Sequence, residues 1–391
     1  MNKFSFIAIG LMAGVLMCNC KPKDKNNDPT KYFDTKSGIL TDGDDSYFRQ
    51  LTSGEQKRYH DLAEMAAHKI LGSNFNGQLL VAKNGQTVFE EYKGIYDFKK
   101  KSPITEHAPM HIASTSKTFT GMAILHLWER GEIDLDDSIQ KFFPALPYHG
   151  ITVRMLLAHR SGLPNYLDFM GKGWDRRHMA TNQDVIDYMV ANKPPILSLP
   201  NKHFHYCNTN FMLLASILEK IVHQPFPQYM KDSLFTPLGM KDTYIFEAKD
   251  TANYLTTYNG NRPYPMDQTD LTYGDKNVYS TVRDLLQWDR SLYMHNYIKA
   301  STLKMAYEPQ SNERASMHNY GLAWRMLFYK NGDSVIYHNG KWHGTNSVFT
   351  RLIQDTATII IIGNRMDKRI YGGKAISSIF TGRKDTIIPQ E

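Results

Sequence analysis

Stretches with β-strand character lie near both ends of this chain, and a long helix-patterned section separates them. Near the N-terminus, residues 77–83 and 87–93 have strand-like composition, and Asn84-Gly85 between them is a dipeptide that strongly favours a hairpin turn. Near the C-terminus, β-rich stretches occur at residues 320–329, 334–338, 347–352 and 358–362. The simplest fold therefore pairs strands from the two ends with each other.

The intervening section, from about residue 135 to 275, has mostly helical spacing interrupted by Pro and Gly. We predict an α+β fold, in which one antiparallel sheet is built from both chain ends and flanked by helices. An all-helical lobe at about residues 135–275 is inserted between the two sets of strands. A cleft between sheet and lobe is the expected ligand site.

Composition narrows the possible functions. At 391 residues, the chain is long enough for one large domain or two medium ones. Its formal net charge of +7 comes from basic residues scattered among acidic ones, which indicates solubility and argues against nucleic-acid binding. Of three cysteines, only Cys207 lies in the expected folded body, so we predict no disulfide framework and no Cys-based zinc site. No metal or organic cofactor is predicted.

The first twenty residues have the pattern of an export signal, with Lys3, an apolar run at residues 4–17, and then Cys18 and Cys20. This pattern resembles a bacterial lipoprotein signal, with either cysteine as the lipidated residue; ordinary secretion stays open. We predict a signal peptide at residues 1–20, a flexible tether at 21–52 and a folded domain at 53–385. The protein is expected to be exported, either as a lipid-anchored lipoprotein facing the periplasm or cell exterior, or secreted.

Ser114 and Lys117 stand where a polar stretch gives way to an apolar, helix-patterned run. Residues three apart lie on one face of a helix, so the Ser114 hydroxyl and the Lys117 amine can share a proton. A serine becomes a good nucleophile when a neighbouring base takes its proton, and a lysine serves as that base when its surroundings favour the neutral amine. The spacing alone is also typical of a helix start in which Ser caps and Lys is solvated.

Two later segments carry residue types that an acyl-transfer site needs. Tyr206 and Asn208 place a phenol and an amide at a helix entrance, although a buried Tyr with an Asn cap has the same pattern. His338 and Gly340 end a β-like run, where a glycine lets a substrate approach the strand closely and a backbone N–H can face an oxyanion. Glycine-containing hairpins are common, so each segment alone is weak evidence.

Taken together and in order, these residues resemble the serine β-lactamase and penicillin-binding-protein superfamily. The resemblance spans roughly residues 77–363 and is closest to the class C β-lactamase-like enzymes, which include D-alanyl-D-alanine carboxypeptidases and class VIII esterases. The matching motifs are Ser114-x-x-Lys117, Tyr206-x-Asn208, His338-x-Gly340 in place of Lys-Thr-Gly, and the segments at 155–164 (MLLAHRSGLP), 237–243 (PLGMKDT) and 279–285 (YSTVRDL).

The resemblance implies a β-lactamase/transpeptidase-like fold and a role for each motif residue. Ser114 would be acylated, Lys117 would accept its proton and Tyr206 would relay a proton to the leaving group. Asn208 would hold Lys117 and the substrate amide. The remaining residues would lie on the substrate side of the site. His338 would contact Tyr206 or a substrate carboxylate, and the backbone N–H groups of Ser114 and Lys341 would form the oxyanion hole. Gly340 would lie between His338 and Lys341 on the same strand.

Departures from the β-lactamase pattern shift the expected substrate. A histidine at position 338 is only partly charged near neutral pH, which weakens recognition of the penicillin carboxylate. We therefore expect a small-molecule ester, amide or peptide substrate, and esterase or D-peptidase activity rather than strong β-lactamase activity. A peptidase acting on D-Ala-containing cell-wall peptides is the alternative within the enzyme class. A non-catalytic descendant that binds peptidoglycan or a protein partner is the alternative outside it. His159, in the 155–164 segment, is interpreted as a structural hydrogen-bonding residue near the cleft.

Overall fold

The structure, a computed structural model, describes residues 49–175, 177–329 and 332–381. The predicted signal peptide, most of the predicted tether and the last residues of the predicted domain lie outside these ranges. Residues 49–52, assigned to the tether from the sequence, instead belong to the folded body: Thr52 caps the first helix, and the Leu51 N–H donates to the Gln86 side chain at 3.1 Å. Within the described ranges, no helix is both long and apolar enough to cross a bilayer.

Helices surround the sheet and form most of the inserted lobe. In the described residues the α-helices are α1 (Ser53–Leu71), α2 (Ser116–Glu129), α3 (Val153–Leu157), α4 (Tyr166–Gly173), α5 (Asn182–Asn192), α6 (Asn208–Val222), α7 (Phe226–Met230), α8 (Val282–Met294), α9 (Ala300–Ala306) and α10 (Ser378–Thr381). Short 3₁₀ segments occur at Ala113–Thr115, Ile139–Lys141, Ala248–Asn253 and Lys368–Ser377, and a π-helical turn occurs at Lys231–Phe235.

The strands of the described residues fall into one large sheet and three small ones. They are β1 (Gly77–Lys83), β2 (Gln86–Lys93), β3 (Ile95–Asp97), β4 (Ser102–Pro103), β5 (Met110–His111), β6 (Tyr244–Ile245), β7 (Tyr258–Asn259), β8 (Arg262–Pro263), β9 (Val278–Ser280), β10 (His318–Tyr320), β11 (Arg325–Phe328), β12 (Ser334–Trp342), β13 (Thr345–Leu352) and β14 (Ala357–Gly363).

The large sheet confirms the prediction that both chain ends share one sheet. Its order is β10-β11-β12-β13-β14-β1-β2, and its strand pairs are all antiparallel. The two ends of the chain meet where β1 pairs with β14, with Gly77 opposite Gly363. Asn84 and Gly85 both have positive φ, as a tight two-residue hairpin turn between β1 and β2 requires.

Apolar packing covers both faces of this sheet. On one face, α1 contributes Ala63, Ala67 and Leu71 to a cluster that includes Leu79 and Ile359. On the other face, a larger cluster joins the sheet to α2, to α8 and to the helical lobe. β1 and β14, the strands where the two chain ends pair, are buried almost throughout, which explains their continuous apolar sequences.

The inserted lobe contains α3 to α7, as the helical spacing predicts. The prediction that it is entirely helical was wrong in detail, because the two-residue strands β6, β7 and β8 also lie in it. β6 pairs with β9, whose other neighbour is β5. Strands of two residues are too short to show a periodicity in the sequence. Through β9, residues 278–280 are tied to Met110 and His111, just ahead of Ser114.

Candidate active site

Ser114 lies in the 3₁₀ turn Ala113–Thr115, immediately before α2, and its side chain is partly exposed. Ala113 adopts a left-handed conformation with φ +49°, which is uncommon for a residue with a side chain. The Ala113 N–H donates to His111 Nδ1 at 3.1 Å, and the other ring nitrogen of His111 lies 3.1 Å from Asn277 Oδ1. The histidine therefore helps to hold the turn that presents Ser114.

Lys117 is fully buried in the first turn of α2 and has three polar partners. Its Nζ lies 3.1 Å from Ser114 Oγ and donates to Asn208 Oδ1 and to the Asp275 carbonyl, both at 2.8 Å. The amide oxygen and the carbonyl can only accept, so two N–H groups are committed to them. The contact with the Ser114 hydroxyl can run in either direction, and a proton can therefore pass between serine and lysine.

Tyr206 lies two residues before α6, and its ring faces the Lys117 amine. Lys117 Nζ is 5.0 Å from the ring centroid of Tyr206, and Arg325 Cζ is also 5.0 Å from that centroid. Asn208, two residues later, is the first residue of α6 and partners Lys117 as described above. The structure thus brings Ser114, Lys117, Tyr206 and Asn208 together, although they come from two separate parts of the sequence.

His338 lies on β12, and its side chain has the rings of Tyr206 and Tyr320 as neighbours. Its Nδ1 is 2.8 Å from the Asn339 carbonyl and so carries the proton, while Nε2 is 3.3 Å from the Tyr320 hydroxyl. Burial, together with the charges of Arg325 and Lys117, lowers the pKa of His338 well below its usual range. The imidazole is therefore neutral and accepts a hydrogen bond from Tyr320; its ring remains 6.3 Å from that of Tyr206.

The end of β12 forms an open strand edge beside the Ser114 turn. Within the described residues, β11 pairs only with Ser334–Tyr337, whereas β13 accompanies β12 as far as Trp342. A two-residue turn joins β12 to β13, so Trp342 and Thr345 at its ends form a hydrogen-bonded pair. Hydrogen-bonded and non-hydrogen-bonded positions alternate along the strand, so the N–H of Lys341 points away from β13. That orientation suits an oxyanion donor, while the Lys341 side chain itself is exposed.

Gly340 is required by the close approach of β12 to the nucleophile turn. A Cβ at this position would lie 2.2 Å from the Ile112 carbonyl oxygen and 3.0 Å from the Ala113 Cβ. Ser347 on β13 further ties the two segments together, since its hydroxyl donates to the same Ile112 carbonyl at 2.7 Å and lies 2.9 Å from Thr115 Oγ1. The glycine therefore sets the distance between strand and serine.

A buried network behind Lys117 was missed by the sequence reasoning. Lys276 Nζ donates to the Tyr166 hydroxyl at 2.7 Å, and that hydroxyl donates to Asp275 Oδ2 at 3.0 Å. Asp275 Oδ1 has no hydrogen-bond partner among the described residues. The network holds the peptide whose carbonyl accepts from Lys117. Because this carbonyl is a backbone group, no residue type in the sequence signals its role.

A cavity of about 440 Å³ opens next to Tyr320, whose ring neighbours those of Tyr206 and His338. Phe204, Tyr320 and Arg325 contribute to its walls, so it adjoins the same aromatic rings that surround the candidate proton-transfer groups. Within the described residues, no group of three or more His, Cys, Asp or Glu side chains is arranged to hold a metal ion.

The burial of His111 predicts a pH-dependent stability. Burial lowers the pKa of His111 to about 4, from an ordinary value near 6.5, so the unfolded chain takes up a proton that the folded chain excludes. The contribution of neutral His111 to stability is therefore fully present above about pH 6.5 and is lost as the pH drops toward 4. We expect urea unfolding at pH 7 and pH 4.5 to show about 2 kcal/mol more acid destabilisation in the wild type than in His111→Asn. Parallel losses in the two proteins would contradict this.

Comparisons with known proteins agree with this architecture. The family model named Beta-lactamase matches residues 63–374. Penicillin-binding protein 4* of Bacillus subtilis (strain 168) is 27% identical over 338 residues, which cover 82% of this chain and 74% of that protein.

Two solved structures share the fold. The D-amino acid amidase from Ochrobactrum anthropi SV3 superposes with a TM-score of 0.66 at 22% identity, covering 83% of this chain and 97% of the amidase. EstCE1, described as a hydrolase with promiscuous acyltransferase activity, superposes with a TM-score of 0.70 at 16% identity, covering 84% of this chain and 100% of EstCE1.

The family match extends over most of the described residues and includes every motif residue of the site. The chain belongs to the Beta-lactamase family of serine hydrolases, which is related to the penicillin-binding proteins.

Proposed function

We propose that the protein hydrolyses a small ester, amide or peptide through an acyl-enzyme on Ser114. The observation that carries this proposal is the set of three contacts made by Lys117, of which only the contact to Ser114 can reverse its direction. A buried lysine with that partner set is suited to take the serine proton, whereas a solvated helix-start lysine would not be enclosed in this way.

The proposed reaction has two halves. The Ser114 Oγ attacks the substrate carbonyl carbon and its proton passes to Lys117 Nζ, while the N–H groups of Ser114 and Lys341 bind the developing oxyanion. Tyr206 delivers a proton to the departing alcohol or amine as its bond to the carbonyl carbon breaks. Water then adds to the acyl carbonyl carbon and gives a proton to the Tyr206 phenolate. As the bond between Ser114 Oγ and that carbon breaks, the acid leaves and Lys117 returns its proton to Ser114 Oγ.

The neutral state of His338 bears on the substrate class. A penicillin-type substrate carries a carboxylate, and a neutral imidazole engaged by Tyr320 offers it no charge-assisted hydrogen bond. This favours esters and amides over β-lactams. The names of the similar proteins, an amidase and a hydrolase that also transfers acyl groups, support the same choice. A D-Ala-type cell-wall peptidase and a weak β-lactamase are the alternatives for this site.

We further propose that the protein acts outside the cytoplasm, anchored through Cys18 or Cys20. The support for this is the charged, apolar and cysteine-containing order of residues 1–20.

Covalent labelling tests the proposed nucleophile. We expect a fluorophosphonate probe to add one phosphonyl group to the wild type, located by mass spectrometry on the peptide that contains Ser114. Ser114→Ala should not be labelled, and Ser301→Ala, which changes an exposed serine on α9, should be labelled like the wild type. Hydrolysis of p-nitrophenyl esters, D-amino-acid amides and nitrocefin by the same three proteins identifies the substrate class. If the wild type is neither labelled nor active on any of these, the non-catalytic alternative is favoured.

A further inference from the structure

His159 is a buried residue that lies behind Tyr206 and has no part in the reaction proposed above. It follows α3 and adopts a left-handed conformation with φ +54°. Its ring is fully buried, 4.3 Å from the ring of Tyr206 and 4.9 Å from that of Tyr320, measured between centroids. The histidine therefore contacts the phenol that is proposed to move a proton, on the side supplied by the helical lobe.

Two hydrogen bonds connect His159 to the residues on either side of Tyr206. The His205 N–H donates to the His159 carbonyl at 2.8 Å, and the Cys207 N–H donates to His159 Nδ1 at 3.1 Å. The 204–205 and 206–207 peptide units, which lie on either side of Tyr206, are thus both held by one residue. Because the chain is fixed at positions 205 and 207, the backbone of Tyr206 has little freedom to rotate, and the ring contact restricts its side chain.

The protonation state of His159 is set by these contacts. Asn210 Nδ2 lies 3.2 Å from the same Nδ1, and Asn210 itself accepts from the Ser161 hydroxyl at 2.6 Å. Because Nδ1 accepts from both N–H groups, the ring proton is on Nε2, which has no hydrogen-bond partner among the described residues. Burial lowers the pKa of His159 well below its ordinary value, and the charge of Lys117 adds to that effect. The neutral ring thus remains an acceptor at neutral pH.

We propose that His159 is a positioning residue for Tyr206, acting through its carbonyl and Nδ1 to hold the phenol beside Lys117. This inference rests on the proposed function, since it assigns a partner to the proton relay. If His159 were only a structural hydrogen-bonding residue, its loss would lower stability without acting on the rate through Tyr206. The two roles differ in a measurable way. If His159 positions Tyr206, kcat depends on the acceptor atom at position 159, and the effect on kcat requires the Tyr206 hydroxyl.

The test compares two replacements of similar size at position 159. In His159→Asn, Oδ1 replaces Nδ1 as the acceptor, and asparagine tolerates a positive φ better than other non-glycine residues do. His159→Leu fills a similar volume without an acceptor. With the best substrate from the panel, we expect kcat to fall about 10- to 100-fold in H159L and no more than about fivefold in H159N, while KM changes less than about threefold in either. Equal losses in the two variants would indicate packing and would overturn the proposal.

A double-mutant cycle with Tyr206→Phe gives the second readout. If His159 acts only through the phenol, H159L/Y206F should have the same kcat as Y206F. Multiplying losses would contradict the proposal. Circular dichroism checks the fold, and His159→Gly, which accommodates the positive φ, replaces H159L should the latter not fold. Wild-type labelling at Ser114 is the control for the proposed function. Its absence would refute that function, whereas labelling with indistinguishable kcat values in H159L and H159N refutes only the role of His159.

Discussion

Replacing Lys117 by methionine should lower the rate of acylation by roughly 10²- to 10⁴-fold, the usual contribution of a general base. The methionine retains most of the length of the side chain and removes the amine that contacts both Ser114 and Asn208. Without an acceptor for its proton, the Ser114 hydroxyl is a weak nucleophile. The measurement is the stopped-flow rate of acyl-enzyme formation, or of p-nitrophenol release from an activated ester in a single turnover.

Lys117→Arg separates the base from the charge. Arginine keeps a cation with several donors but does not give up its proton at neutral pH. A role as base therefore predicts that K117R is impaired about as strongly as K117M. Near wild-type acylation in K117R would show that the charge alone matters, and the proposed proton transfer would be wrong.

Folding must be checked in both Lys117 variants. The methionine leaves Asn208 Oδ1 and the Asp275 carbonyl without the donor that each has in the wild type, at a cost of about 1–3 kcal/mol per group. Rates should therefore be compared well below the unfolding temperature of each variant. If the acylation rates of the variants fell in proportion to their melting temperatures, the loss would reflect unfolding, and this would count against the mechanism.

Periodic elements of this fold were predictable from the sequence because burial determines their composition. β1 extends over the residues predicted for it, and β14 begins one residue before the predicted start. The stretch at residues 320–329 was predicted as one strand, yet β10 ends at Tyr320 and β11 begins at Arg325. The interruption is tertiary in origin: the Ala323 N–H donates to the Leu157 carbonyl at 3.0 Å, and Ala323 has φ +70°.

The candidate site divides in the same way. Ser114, Lys117, Tyr206 and Asn208 could be named because their chemistry depends on side-chain type. The partners that orient them could not, since the Asp275 carbonyl and the His159 carbonyl are backbone groups that any residue carries. The Tyr320 hydroxyl, which is hydrogen-bonded to His338, could not be named for a related reason: this contact depends on how β10 and β12 lie in the sheet, which motif spacing does not determine.

Arg351→Met should destabilise the fold by about 3–5 kcal/mol, as expected when one partner of a buried ion pair is removed. Arg351 Nε donates to Asp289 Oδ1 at 2.6 Å, and both side chains are at most 1% exposed. The guanidinium also donates to the Tyr307 hydroxyl and stands 4.3 Å from the ring centroid of Tyr293. In the variant, the Asp289 carboxylate remains buried, with the Thr358 hydroxyl as its remaining side-chain donor. The pair joins α8 to the sheet, so the loss should appear as a lower urea midpoint.

Arg283 provides a matched control for this measurement. Its Nη2 lies 2.6 Å from Glu90 Oε1, the same separation, but the side chains are 45% and 27% exposed. Arg283→Met should therefore cost less than about 1 kcal/mol, because water screens the pair and solvates the carboxylate that remains. Replacing both buried partners, in Arg351→Met/Asp289→Leu, should recover most of the loss, since no uncompensated charge is left. If R351M and R283M were destabilised equally, burial would not determine the size of the effect. The double variant should then be no more stable than R351M.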